Sequence, residues 1–195
     1  MKKPIIALIL AAALLLGLCV GLDGIAVKNA ESYHLQLMQT LLPGATEFTV
    51  EPYAGEDANI RSVHKSDIGS VVETVTYGYA GEITMLVGVN NAGKVTGLVV
   101  EEAHETFGLG GEALTDHVFL SQFLNQTGSF EVATSGADAF SGATAEAETA
   151  EGEAVSVDAI TGATVTSKAV VRCVNSAVAY VTGADATTEA TSWGG

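Results

Sequence analysis

The sequence predicts an α+β domain, an antiparallel sheet with flanking helices, carried behind one N-terminal transmembrane helix. Three observations lead there: an uncharged apolar run at the start, three consecutive β-patterned segments in the middle, and an amphipathic helical segment near the end. The 195 residues suffice for one domain plus an anchor. Beyond the apolar run about 170 residues remain, enough to bury a core without disulfide staples.

The apolar run comes first. Met1-Lys2-Lys3-Pro4 precedes Ile5 to Leu22, eighteen residues without a charge, and Asp23 closes the segment. As a helix it covers roughly 27 Å, close to the hydrocarbon thickness of a bilayer. The two lysines favour a cytoplasmic N-terminus, which puts the rest outside the cytoplasm, at the cell (inner) membrane, as a single-pass protein. A cleaved signal peptide is the competing reading. No small-x-small site directly follows the run, and Leu18, not a small residue, precedes Cys19. Residues 1–25 are therefore expected to be a cytoplasmic start and retained anchor.

Residues 26–48 read as a juxtamembrane helix and the approach to the domain. Leu35, Met38, Leu41 and Leu42 share one side, and Pro43-Gly44 stops the helix. The main domain is expected over 49–182. Its sheet is built from Val71 to Tyr77, Ile83 to Val89 and Val95 to Val100, joined by a turn at Gly78 to Gly81 and a hairpin loop at Asn90 to Gly93. A glycine-rich loop, His104 to Gly111, leads into a helix predicted from about Glu112 to Leu124, burying Leu114, Val118, Phe119 and Phe123. Residues 134–157 have little apolar content and read as an acidic low-complexity insertion. The last helix runs from Thr164 or Val165 to about Val181 with Val170, Val171, Val174, Val178 and Val181 near one face; residues 183–195 are expected to be a flexible tail.

Charge and cysteines exclude several classes. With 23 acidic against 8 basic residues the formal net charge is −15, which is wrong for binding a nucleic-acid backbone. The acidity suits solubility and repels anionic headgroups. Cys19 lies in the apolar run and Cys173 in the last helix, so the two are poorly placed to pair, and no Cys-x-x-Cys suggests a cluster or zinc site. None of His34, His64, His104 and His117 has metal-ligand spacing, so no metal site is expected, and no nucleophile–His–acid set is legible.

One string stands apart: Asp158-Ala159-Ile160-Thr161-Gly162-Ala163-Thr164-Val165-Thr166-Ser167. It is an extended lead, a Thr-Gly-Ala turn and a hydroxyl-rich helix start. The free N–H groups and positive dipole end of a helix N-terminus favour a phosphate. Gly162 and Ala163 are small enough to leave the Thr164 hydroxyl reachable. Hydroxyls here are ordinarily just N-caps.

The full string resembles the flavinylation motif D-x-x-[ST]-G-A-[ST] of the FMN-binding domain family, with Thr166 to Val170 matching the usual extension. Leu42-Pro43-Gly44-Ala45 before Phe48, Gly78-Tyr79-Ala80-Gly81, the strands from Ile83 to Val100, and His104-Glu105-Thr106-Phe107-Gly108-Leu109-Gly110 are similar to other parts of that family. The resemblance covers most of residues 1–182. It implies FMN joined covalently to Thr164 through a phosphoester, moved there by a flavin transferase that uses FAD and a divalent metal and releases AMP. It also implies that Asp158, Thr161, Gly162, Ala163, Thr166 and Ser167 present the acceptor, and that Glu105, Thr106, Gly108, Leu109 and Gly110 lie near the flavin. Lys168 and Arg172 are placed to neutralise a phosphate or simply to face solvent.

Two departures stand out. Phe107 replaces the family's usual Pro, and Asp138 to Thr144 is a second match to the motif, followed by Ala-Glu-Ala-Glu instead of a helix. Thr144 is thus a second candidate acceptor, expected to stay unmodified. With the anchor in front, the chain resembles the G-type members of Rnf electron-transport complexes. That likeness implies an electron carrier without a catalytic residue of its own, partnered by other membrane subunits that couple ferredoxin and NAD⁺ to ion pumping. The C-type member of a Na⁺-pumping NADH:quinone reductase, or another exported covalent-FMN carrier, is the nearest alternative. An anchored binding module without cofactor is the alternative of another class.

Overall fold

The computed structural model describes residues 32–106, 108–133 and 154–184. The expected anchor at 5–22, Phe107 and the second motif around Thr144 lie outside them. The chain divides into two compact units, Met1–Met38 and Gln39–Gly195. The described part of the first, 32–38, is helical and belongs to α1, residues 32–41. Leu35 is exposed there. Among the described residues no helix is long and apolar enough to cross a membrane.

The second unit is built on a five-stranded antiparallel meander in the order β1 (Thr49–Pro52), β2 (Ile60–Ser66), β3 (Gly69–Tyr77), β4 (Glu82–Asn90) and β5 (Val95–Ala103). The three predicted strands are β3 to β5, with β5 at one edge of the sheet. Strands β1 and β2 go beyond the predicted set. The four residues of β1 are all exposed, and Arg61, Ser62, Lys65 and Ser66 dilute the apolar signal of β2. Asn90 makes the predicted β4–β5 loop: its side-chain oxygen accepts from Ala92 N and Lys94 N, both at 3.0 Å, while Gly93 takes φ +75°.

One sheet face carries Val72, Thr74 and Thr76 opposite Val87, Met85 and Ile83. Helix α4 (Thr164–Thr182) packs on it, with Ala169, Val170, Cys173, Val174, Ala177 and Val178 buried. Thr76 settles its hydroxyl on Ala169 O at 3.2 Å, 3.3 Å from Cys173 Sγ. Burial pushes the Cys173 thiol up, so it stays neutral at pH 7. The other face is closed beside the chain at Leu41. Thr96 Oγ1 donates to Leu41 O at 2.6 Å, and Gly88 and Gly97 let that backbone lie directly on the sheet.

The single helix predicted from Glu112 to Leu124 is two: α2 (Gly110–Ala113) and α3 (His117–Ser121). Asp116 divides them. It is extended (φ −72°, ψ 108°), and its carboxylate accepts from Val118 N at 2.7 Å and Phe119 N at 3.0 Å, starting a new helix where the old one would have continued. The restart rotates the apolar face, leaving Val118 exposed while Leu114, Phe119 and Phe123 are buried. Phe119 and Phe130 flank Phe123, with centroids 5.6 and 5.3 Å from it.

The predicted insertion ends earlier than expected. Val155–Asp158 is a strand, β7, parallel to β6 (Phe130–Ala133), and Val157 is fully buried. Two amide side chains fix this pair. Asn175 of α4 brackets the Phe130 backbone at 2.8 and 2.9 Å, and Gln122 brackets the Asp158 backbone at 2.8 and 3.2 Å. Short strands held by side chains from elsewhere leave little periodic trace.

A Cβ at Gly88 would overlap the Leu41 carbonyl, so Gly88→Ala is expected to destabilise the domain by about 1–3 kcal/mol, read as a lower urea midpoint. Asp116→Ala should cost about 1 kcal/mol through the lost cap, measured the same way.

Candidate functional site

Beyond β5 the chain turns sharply: Leu109 N and Gly111 N both donate to Thr106 O, at 3.3 and 3.1 Å. Glu105 folds back from this loop toward the β3–β4 turn, where its Oε1 accepts from Tyr79 N at 2.7 Å. Gly78 lies directly beside it: a Cβ there would meet the same carboxylate oxygen and displace the Glu105 side chain. The turn itself is closed by Gly78 N donating to Gly81 O at 2.8 Å. Two segments distant in sequence are thereby one structural unit.

Facing this unit is the start of α4. Its N-cap is Ala163, which offers no side-chain cap, and Gly162 takes φ +81° to bring the chain around. Ser167 Oγ donates to Ala163 O at 3.0 Å and accepts from Ile160 N at 3.2 Å, tying the turn to the helix. The first-turn N–H groups have no partner within the helix, as at any α-helix start.

A cavity of about 510 Å³ lies between the two. Tyr79, Glu105, Thr106, Leu109 and Gly110 form one side; Gly162, Ala163, Thr164, Val165 and Thr166 form the other. Thr164 is half-buried on the rim of the helix start. Tyr79, Leu109 and Val165 are exposed, so the cavity has an apolar edge open to solvent.

Eight of the predicted site residues line this cavity: Thr164, Gly162, Ala163, Thr166, Glu105, Thr106, Leu109 and Gly110. Four do not. Asp158 is exposed, with its backbone held by Gln122; Thr161 is exposed; Ser167 is spent on the turn; and Gly108 (φ +78°) borders open space. Arg172 donates to Tyr77 O at 2.8 Å, so it braces the end of β3, while Lys168 is exposed on α4. His104 is exposed and 3.9 Å from Glu102, beside a separate small cleft. Tyr79 and Val165 join the lining without having been predicted as site residues. An exposed tyrosine inside a glycine turn was the available signal for the first.

Compared with known families, residues 78–179 match the family described as FMN-binding domain, which is more than half of the chain. The chain belongs to the FMN-binding domain family. A curated relative is the G component of the Na⁺-translocating ferredoxin:NAD⁺ oxidoreductase complex of Acetobacterium woodii, 34% identical over 112 residues. The match covers 57% of this chain and 48% of the relative, so the chain spans about half the length of the curated relative it matches. Among solved structures, the crystal structure of Shewanella oneidensis NqrC is similar with a TM-score of 0.43 and 21% identity, covering 70% of this chain and 65% of that one. A likeness at that level carries no weight for function.

The cavity fits the FMN of the family name. Among the described residues, Thr166 Oγ1 and Glu105 Oε2 are buried without a hydrogen-bond partner. The rim offers apolar contact for a ring system, and the helix start offers N–H groups to a phosphate. The Glu105 tie is testable without ligand. Glu105→Ala should speed hydrogen exchange of the Tyr79 amide and lower stability by about 1 kcal/mol, since the bond is partly solvated.

Proposed function

We propose that this chain is an electron-carrying flavoprotein subunit of an ion-translocating ferredoxin:NAD⁺ oxidoreductase (Rnf) complex, with FMN esterified to Thr164. The observation that carries the reading is the place of Thr164: in the family's motif, on the rim of the cavity that the motif and the Glu105 loop share. The relative from Acetobacterium woodii supports the assignment to this class of complex.

FMN, when bound, supplies the electron-transfer chemistry. The chain's residues supply the rest. The Thr164 hydroxyl is the acceptor for a flavin transferase, and the small Gly162 and Ala163 keep it approachable. The N–H groups and dipole of α4 favour the phosphate. Tyr79, Leu109 and Val165 offer the ring an apolar rim. The surplus of acidic residues disfavours added negative charge near the site and lowers the reduction potential.

The proposal extends to Asp158 and Thr161, which shape the segment that the transferase reads, and to Gly108, whose φ of +78° sets the loop. Ser167 acts through the turn it ties. Residues 5–22 anchor the chain in the cell membrane with the FMN domain outside the cytoplasm, and the partners are the other membrane subunits of the complex. Thr144 stays unmodified, because Glu146 and Glu148 beside it oppose an anionic phosphate.

Co-expression with a flavin transferase, followed by a denaturing gel under ultraviolet light, tests this reading. Wild type is expected to fluoresce and Thr164→Val to be dark. A dark wild type, or a fluorescent Thr164→Val, would refute attachment at this residue.

A further inference from the structure

The sheet has a second face, and one end of it is open. Alternation along β3 and β4 turns Val72, Thr74 and Thr76 toward α4, so Val75, Tyr77, Glu82 and Thr84 lie on the opposite face. The chain at Leu41 closes that face beside Gly88 and Gly97. At its other end two consecutive β4–β5 pairs, Glu82 with His104 and Thr84 with Glu102, border a cleft of about 220 Å³. Thr84 is its floor. That residue is 4% exposed, yet it lines the cleft, and among the described residues its hydroxyl has no hydrogen-bond partner. Glu102 and His104 form a rim open to solvent.

Size and donor spacing select the occupant. The cleft is smaller than the roughly 300–1,000 Å³ of small-molecule sites, so it has room for one side chain and not for a cofactor. The carboxylates call for a cation. Among the described residues no three His, Cys, Asp or Glu side chains converge closely enough to hold a metal ion. Acceptors spread around a cleft match a planar guanidinium, whose five N–H donors fan outward, better than an ammonium with three donors on one atom. Arg61 displays this match on the same face, reaching Glu73 at 3.4 Å and Glu82 at 2.9 Å. Glu102 has no such counterpart among the described residues; His104, 3.9 Å away, is its nearest basic group. Tyr77, 71% exposed and paired with Glu82 across the sheet, adds an aromatic surface beside the cleft.

The guanidinium must come from a different protein. The chain has two arginines, and both are engaged, Arg61 with its two glutamates and Arg172 with the Tyr77 carbonyl. A second copy brings the same two. We propose that this end of the sheet is a docking surface for a partner protein that inserts an arginine side chain into the cleft against Glu102, with Tyr77 beside it. None of these residues lines the larger cavity, so the inference is independent of flavin attachment.

The test is made on the full chain in its native cells, with p-benzoylphenylalanine in place of Tyr77 and irradiation to cross-link whatever lies on this face. One partner protein is expected, and mass spectrometry should find an arginine in its cross-linked segment. Glu102→Arg should reduce the adduct about tenfold by setting like charges together. Glu47→Arg, the same charge change at another exposed position, should leave it intact. Exchanging the partner's arginine for glutamate should restore the adduct in the Glu102→Arg background. The inference is overturned by the absence of an adduct, by a cross-link within the chain or to a second copy, or by a cross-linked segment without arginine. An adduct that survives Glu102→Arg, falls equally in Glu47→Arg, or is not restored by the exchanged charges overturns it as well.

Discussion

The seating of the last helix on the sheet governs everything near the cavity. Ala169, Cys173 and Ala177 are small enough to bring α4 close to the β3–β4 face, and Val170, Val174 and Val178 fill the space around them. The buried Thr76 hydroxyl meets the Ala169 carbonyl, so even the polar atoms of this interface agree on one placement. Because Thr164 opens that helix, its position is set by core packing extending over nineteen residues. The Thr164 hydroxyl, on an otherwise local turn, is thus held in place by the core.

The cavity is assembled from the two ends of this arrangement. The loop after β5 is brought down by Glu105, whose carboxylate reaches the β3–β4 turn; the helix start is brought up by the packing of α4. Glycines serve the site in two different ways. Gly162 takes a left-handed backbone conformation that turns the chain into the helix, whereas Gly110 lets the Glu105 and Thr166 side chains pack directly against its backbone.

The sequence made β3 to β5 and the last helix legible because their apolar positions repeat with the right period over many residues, as in Val71 to Tyr77 and Val170 to Val178. It did not make β1, β6 or β7 legible. These are four residues each, and β6 and β7 depend on Asn175 and Gln122, polar residues whose targets are 45 and 36 positions away. The break at Asp116 was missed for a related reason: helical periodicity continues through a capping residue that in fact restarts the helix. Of the site, the motif was legible through its resemblance, and so were the residues around Gly110. The separation of Glu105 into one structural oxygen and one unpartnered oxygen was not, since it depends on where the turn at Tyr79 falls in space.

The brackets made by Asn175 and Gln122 grip main chain, not side chains, at Phe130 and Asp158. Both ends of the intervening acidic stretch are therefore clamped independently of what that stretch is made of. Its length and composition are free to drift through evolution, or to be edited by an engineer, while the path leading into the Thr-Gly-Ala turn keeps its aim.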